Sequence, residues 1–419
     1  MNDKFSLRRD SNFSFSNSFE KPSTARFLRK ARLFYFPPFT IYRLPFTIDF
    51  VRVLHISSAK VFGGGERHFI DLARGLHTRG HEVFAALRPS NEWQERLDFL
   101  PPENILHVSL RNALGVLSAQ RIGEFVRENN IEIVHAHAAR DYIPASIACR
   151  LARPAKFVLT RHVLFPMKAF HRFALTNLSK SIAVSNAVAA NLHKIFPPEK
   201  IVLIANGIDI DNRINENREQ LRREFRFLHD VPFDAFLIGT VGELKLLKGQ
   251  RDFILAANIV AQRFPEARFV IVGKDNSFKK EFRRELKRLV KIFRLETRFL
   301  WFDWVEETAS LFAALDVFVS ASHSESFGLA ILDAMANGTA IVSTATEGAM
   351  ELLDGDSGKL VPLKDSVRLA EAVGELLGDE KMRRTFGEKA QMSAREKFDL
   401  KKMIDETEKL YREIIEKVE

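Results

Sequence analysis

From Val51 onward, short apolar runs alternate with stretches whose apolar residues recur every three or four positions. Val51–Ile56 reads as a strand, and after a run of glycines Phe69, Leu72, Ala73 and Leu76 line one face of a helix. Gly80 closes that helix and His81–Ala86 opens the next strand. Ile131–Val134, Phe157–Thr160, Ile182–Val184 and Val202–Ile204 are further strand candidates, whereas the charged stretch Asn212–Asp230 has none. After Pro232 the alternation restarts. Ala235–Val241, Arg268–Val272, Leu315–Ser320 and Thr339–Ser343 read as strands; Phe253, Ala256, Ala257 and Val260 line one helix, and Leu369, Val373, Leu376 and Leu377 another. Strands separated by helices need crossover connections and so pair in parallel. The pattern predicts two doubly wound α/β domains, 51–215 and 233–399, joined by a linker over 216–232. Ligands of such folds bind outside the carboxyl ends of the strands, which makes the cleft between the domains the expected site.

Composition narrows the class. The 419 residues are 46% apolar and 28% charged, a globular balance that excludes collagen-like, coiled-coil and wholly disordered chains. No run of apolar residues is long enough to predict a membrane-spanning helix. The single cysteine, Cys149, can form neither an intramolecular disulfide nor a thiolate metal cluster, which fits a reducing, cytoplasmic setting.

The net charge of +9 suits an anionic partner, but it is unevenly placed. Residues 1–50 hold nine Lys/Arg against four Asp/Glu, in a Ser/Asn/Phe tract (Asn12–Phe19) and a Pro-punctuated aromatic stretch (Arg32–Phe46). That composition predicts a disordered extension, with a basic-aromatic membrane contact as the alternative. It lacks the continuous apolar core of a secretory signal. Lys279–Arg298 holds nine Lys/Arg against three Asp/Glu, with Phe282, Leu286, Leu289 and Phe293 at helical spacing. This is an amphipathic helix, expected to bury its stripe in its own domain or else to meet an anionic membrane surface. Outside these two segments the chain is near neutral and carries no nucleic-acid module, so no nucleic-acid partner is expected.

Three loops carry candidate chemistry. Gly63-Gly64-Gly65-Glu66 follows the first strand, and a glycine loop opening a helix lets N–H groups approach an anion. It is not a dinucleotide fingerprint, because His68 stands where the third glycine belongs. In the second half, Lys248-Gly249 sits just past a strand, placed to meet a phosphate or simply to be a solvated loop lysine. The richest loop is Ser322–Ala336, where Glu325 lies at a strand-to-helix turn and Phe327-Gly328 opens the helix. Asp333 falls about two turns further on. The free N–H groups of that helix start can neutralise a diphosphate, Glu325 can accept hydrogen bonds from sugar hydroxyls, and Asp333 can hold a ribose.

Glu325-x-Phe327-Gly328 with Asp333-Ala334-Met335-Ala336 resembles the E-x7-E signature of the retaining glycosyltransferases of family 4, the glycosyl transferases group 1 family. Other blocks agree in order. Gly63–Arg67, Asp71–Arg74 and Gly80–Val83 resemble the family's glycine loop and first helix. Ile133–His137, Thr160-Arg161-His162, Ala183–Ser185 and Ala205–Asp209 resemble its later N-domain blocks, and Gly348–Glu351 and Gly358–Pro362 its C-domain tail. The resemblance covers about Val51 to Glu419.

It implies a GT-B fold: two Rossmann-like domains facing across a cleft, with a C-terminal helix over 400–419 crossing back to the N-domain. It implies transfer of a sugar from a nucleoside diphosphate sugar to the hydroxyl of an acceptor glycan or glycolipid, with retention, in cell-envelope synthesis such as lipopolysaccharide. No metal and no cofactor beyond the donor is expected. By matching motif, Lys248 would meet the diphosphate, Glu325 the transferred sugar, and the N–H groups of Phe327, Gly328 and Leu329 its hydroxyls or phosphate. Asp333 would hold the ribose, Gly64 and Gly65 would approach the phosphates from the opposite domain, and His162 would lie near the sugar. Two departures stand out. Glu243 occupies a place where the family commonly has Arg, so that Lys245 or Arg251 might substitute or Glu243 might pair with a neighbour; and Asp333 replaces the usual Glu. The two departures keep open a decayed transferase acting as a binding subunit, and a nucleotide-sugar epimerase of the same fold is the other alternative.

Overall fold

A computed structural model describes residues 50–109, 115–210, 218–305 and 308–416. The expected N-terminal extension over 1–50 lies, but for Phe50, outside the described residues. Seven parallel strands make the first sheet: β1 (Arg52–Ser57), β2 (Glu82–Leu87), β3 (Ile105–His107), β4 (Ile133–Ala136), β5 (Lys156–Arg161), β6 (Leu178–Ala183) and β7 (Ile201–Leu203). Their order is β3-β2-β1-β4-β5-β6-β7. Six parallel strands make the second: β8 (Leu237–Val241), β9 (Arg268–Val272), β10 (Phe299–Phe302), β11 (Val317–Ser320), β12 (Ala340–Thr344) and β13 (Lys359–Val361), in the order β10-β9-β8-β11-β12-β13. The central strands are buried on both faces by helices, which is why they read as unbroken apolar runs.

Strand order reverses direction between β1 and β4 in one sheet and between β8 and β11 in the other. Those two switch points are where crossover connections leave to opposite sides and open a crevice. The glycine loop follows β1, the Lys248 loop follows β8 and the Glu325 loop follows β11. Topology alone therefore brings the three chemistry-bearing loops to the crevice ends of the sheets.

Three strands are absent from the sequence reading: β3, β10 and β13. All three lie at sheet edges and span three or four residues, too short for a period to show. The expected linker over 216–232 needs correction. It carries a helix, Arg218–Leu228, docked on the second domain. Arg222 and Arg226 donate to Asp316 at 2.9 and 2.8 Å, and the fully buried Arg226 also reaches the carbonyls of Pro232, Ala235 and Ala314. What reads as solvated charge along the chain is a buried arginine satisfied by an acid at the mouth of β11.

The helix Leu400–Glu416 lies on the first domain. Tyr411 Oη lies 2.5 Å from His135 Nδ1, and Arg79 donates to Glu408 at 2.7 Å. The basic helix, Glu281–Ile292, buries Phe282, Leu286 and Val290 and packs against the helix Gln250–Arg263, so its apolar stripe is spent inside its own domain. Among the described residues no helix is long and apolar enough to cross a membrane.

Candidate active site

The loop after β8 ends in a single 3-10 turn, Leu246–Lys248, closed by Gly249 in the left-handed region (φ +64°). A Cβ on Gly249 would lie 1.8 Å from the Ala321 carbonyl oxygen, so only glycine lets this turn approach the loop after β11. The His323 N–H donates to the Leu247 carbonyl at 2.8 Å and fastens the two loops together. The result is that Lys248 Nζ lies 2.5 Å from Glu325 Oε2, with the Ser322 hydroxyl 3.5 Å from the same oxygen. Gly328, also left-handed (φ +106°), then turns the chain into the helix Leu329–Ala336, which carries Asp333 on its cleft side.

The first domain supplies the opposite wall. Gly64 opens the helix Gly64–Thr78, and a Cβ there would sit 2.9 Å from Leu329 Cδ1. A Cβ on Gly65 would lie 3.6 Å from the ring of His162. The Ser326 hydroxyl donates to the His162 carbonyl at 2.6 Å, and Arg67 Nη1 donates to Asp333 Oδ2 at 2.6 Å. The domains also meet through Lys274 and Glu92 at 2.8 Å, through the Asn186 N–H and Glu351 at 2.8 Å, and through Phe62 edge-on to Trp304. Between the walls lies a cavity of about 350 Å³, lined by Val163, Phe165, Lys245, Lys248, Ser324 and Glu325 among others.

Gly64, Gly65, His162, Lys248, Glu325, Leu329 and Asp333 thus all lie where the two domains face each other, and Gly328 turns the chain between Glu325 and Leu329. Phe327 is different: its ring is buried against Phe398, leaving only its backbone for a ligand. The Glu243 departure is resolved by ion pairing. Lys245 Nζ donates to Glu243 at 2.6 Å, Asn276 Nδ2 donates to its other oxygen at 3.1 Å, and Arg251 is paired with Glu285.

The sequence reading assigned no role to Arg67, Ser326, His55 or His135, and did not foresee that these two histidines gather with His68, His137 and the candidate His162 behind the glycine loop. Parallel register sets His55 beside His135, and His55 Nδ1 lies 3.0 Å from His137 Nε2. His68 meets His162 edge-on, with ring centroids 4.7 Å apart. Burial holds all five rings below the ordinary histidine range, His55 at about 3 and His68 at about 4. His162 is therefore a neutral ring at the cleft wall, held there by burial first and by His68 and Arg161 second. Two triads, His55-His135-His137 and His68-His137-His162, bring ring nitrogens within 4.8 Å of one another, close enough to a metal-ligand arrangement to be worth a chelation test. In the first, His135 is already engaged by Tyr411 and by Thr160 Oγ1 at 2.7 Å.

Two family models match the chain: "Glycosyl transferases group 1" over residues 222–393 and "Glycosyltransferase Family 4" over residues 62–212. A D-inositol 3-phosphate glycosyltransferase of Corynebacterium diphtheriae is 30% identical over 367 residues, covering 78% of this chain and 84% of its own length. The chain belongs to the glycosyl transferases group 1 family. This glycosyltransferase is also 27% identical to the N-acetyl-alpha-D-glucosaminyl L-malate synthase of Bacillus anthracis, over 82% of this chain and 92% of that protein. It is 25% identical to the lipopolysaccharide core biosynthesis glycosyltransferase LpsE of Rhizobium meliloti, over 81% and 92%. In fold, the glycosyltransferase resembles one from Rickettsia africae (TM-score 0.77, 23% identity, 88% of this chain and 100% of that one). It also resembles Anabaena HepE in complex with UDP and glucose (TM-score 0.75, 22% identity, 86% and 99%). The GT-B arrangement expected from the sequence is the one found.

Proposed function

We propose that this glycosyltransferase moves a sugar from a nucleoside diphosphate sugar to a hydroxyl of a cell-envelope glycan or glycolipid, retaining the anomeric configuration and requiring no metal. The observation that carries the reading is the placement of the Lys248 ammonium against Glu325 on the wall of the interdomain cavity, beside the amide-rich start of Leu329–Ala336. Negative charge grows on the leaving diphosphate and positive charge on the sugar ring. A fixed cation and a helix N-terminus stabilise the first; a carboxylate at the sugar's own position favours the second.

The donor would insert between Lys248 and Glu325, exchanging their mutual pair for phosphate and hydroxyl contacts. Glu325 accepts hydrogen bonds from sugar hydroxyls, the N–H groups of Phe327–Leu329 meet the diphosphate or the sugar, and Gly64 and Gly65 leave room for the phosphates. The bond from the anomeric carbon to the phosphate oxygen breaks, a bond to the acceptor oxygen forms on the same face, and the acceptor proton passes to the departing phosphate oxygen. The neutral His162 ring stands near the sugar as a hydrogen-bonding group. Support for the substrate class comes from relatives named for lipopolysaccharide core synthesis, for phosphatidyl-myo-inositol mannosyl transfer and for capsular polysaccharide synthesis.

A panel of nucleoside diphosphate sugars, incubated with enzyme and no acceptor, tests the reading by slow hydrolysis to the diphosphate. Calorimetry with the free diphosphates tests binding. Absence of both across the panel would defeat it, and conversion of donor to an epimer would replace it with the epimerase reading.

A further inference from the structure

From Tyr142 to Pro198 the chain has no Asp or Glu and eight Lys/Arg. In a protein with 54 acidic residues this is a long gap, and it includes Val163–Pro166 on the wall of the cavity. Within this stretch the segment after β5 exposes aromatic rings to solvent: Phe165 is 69% exposed, Phe170 46% and Phe173 77%. The exposed cations Lys168 and Arg172 alternate with them along the chain. Three large exposed rings are uncommon on a water-facing surface, and scattered solvation does not explain their confinement to nine residues. The local structure holds them outward. Asn191 Nδ2 donates to the Leu164 carbonyl at 3.1 Å, Arg161 donates to the Phe165 carbonyl, and Leu175 and Leu178 anchor the far end in the core.

We propose that this segment, residues 163–173, docks the enzyme on an anionic bilayer and so presents the cavity to a membrane-borne acceptor. Rings that enter the headgroup region with cations beside them match the chemistry of a negatively charged lipid surface, where apolar burial and electrostatic attraction add. A protein partner of acidic character would share the charge but has no need of three bare phenylalanines beside the substrate entrance. Phe165 belongs both to the exposed row and to the cavity lining, so the bilayer surface and the reaction site are continuous. The inference rests on the proposed function only in placing the acceptor in that cavity; the docking itself is independent of it. It differs from the sequence expectation, which put membrane contact on residues 1–50, outside the described residues but for Phe50, or on the basic segment Lys279–Arg298, whose helix Glu281–Ile292 already buries its apolar stripe.

Co-sedimentation of the full-length chain tests it, using vesicles of phosphatidylcholine alone and vesicles of equal parts phosphatidylcholine and phosphatidylglycerol. Wild type should pellet with the anionic vesicles only. Phe170→Ser/Phe173→Ser and Lys168→Glu/Arg172→Glu should each weaken binding by about tenfold or more. Arg288→Glu/Lys291→Glu, on the basic helix, should bind like wild type. All three variants change exposed side chains, so their melting temperatures and donor hydrolysis should match wild type. Binding that ignores lipid charge, or that the Phe170/Phe173 and Lys168/Arg172 variants both keep, overturns the proposal. Loss of donor hydrolysis by wild type would instead strike the proposed function.

Discussion

Arg67 and Asp333 stand 266 positions apart in sequence and 2.6 Å apart in space, one on each domain. Arg67 is also 3.6 Å from Asp71 on its own helix, so the guanidinium is held from below and reaches across the cleft. Asp333 is one methylene shorter than the glutamate usual at that place, and the arginine from the opposite domain meets it. On the proposed function, a ribose reaching Asp333 would share it with Arg67, and donor binding would then be coupled to the approach of the domains. Both side chains are mostly buried (22% and 9% exposed), so removing one leaves the other poorly solvated. Arg67→Ala and Asp333→Asn should each destabilise by about 2–3 kcal/mol, discounting the buried-pair figure for partial exposure. The double variant should cost less than their sum by about 1 kcal/mol or more. Additive losses in urea unfolding would show that the two groups do not interact in solution.

Lys248 is the strongest test of the leaving-group assignment. Lys248→Ala should lower kcat by about tenfold or more, since removing one preorganised electrostatic donor costs several kcal/mol in comparable sites. Glu325→Gln should also fall, through KM as well as kcat, because the same side chain is assigned to the sugar hydroxyls. Lys248→Ala with unchanged steady-state kinetics would remove the diphosphate from this loop.

The fold was largely legible because the buried parallel strands and the helices between them impose two different apolar periods on the chain. The Glu325 loop was legible because Glu325, Phe327, Gly328 and Asp333 follow a strand and together resemble a family signature, where two acids alone would read as surface residues. Arg67 was quoted as part of a motif yet had no visible partner, since nothing along one dimension announces an acid on the other domain. The same holds for the arginines of Arg218–Leu228. Their charge reads as linker until Asp316 is seen to receive it. His55 and His135 become neighbours only through strand register, which sequence does not state. The exposed phenylalanines after β5 went unread, because outside a helical or strand period nothing along the chain says whether an apolar residue is buried or exposed.

Five histidines buried in neutral form make stability depend on pH. In the unfolded chain each takes up a proton at about 6.5, whereas His55 and His68 resist until about 3 and about 4 in the folded state. Between those values the unfolded state binds more protons, so stability is full above about pH 6.5 and falls as pH drops through that window, by up to about 1.4 kcal/mol per pH unit for each such ring. Asp141, raised by burial to about 7, and Glu66, also raised, act in the opposite direction, but they are outnumbered. The melting temperature should therefore be clearly lower at about pH 5 than at about pH 7.5. Equal values at the two would mean that these rings are solvated or already charged.

Glycines at the site differ in what they tolerate. Gly249→Ala places a methyl against a carbonyl oxygen at 1.8 Å in a left-handed conformation, and backbone cannot yield as a side chain can. It should cost about 3 kcal/mol or more and carry Lys248 out of position, lowering kcat as well. Gly64→Ala meets only the tip of Leu329, 2.9 Å away and free to change rotamer. Its melting temperature should stay near wild type while KM for donor rises. Were both variants equally stable, the loop after β8 would not be packed against Ala321 as described.

Chelation separates two ways of neutralising the diphosphate. If Lys248 and the helix start do that work, exhaustive dialysis against EDTA should leave turnover within about twofold of the untreated enzyme, because an ammonium and backbone N–H groups need no exogenous charge. The nitrogens of His68, His137 and His162 are the nearest arrangement that would take a metal. Such a metal would sit behind the glycine loop, where it would tether His162 rather than touch the Lys248 loop. A loss of activity on dialysis that stoichiometric Zn²⁺ or Mn²⁺ restores in wild type but not in His68→Ala would instead show that turnover needs a histidine-bound ion to hold His162 in place. Metal content measured on the dialysed and restored samples would show whether that ion is bound in a one-to-one ratio.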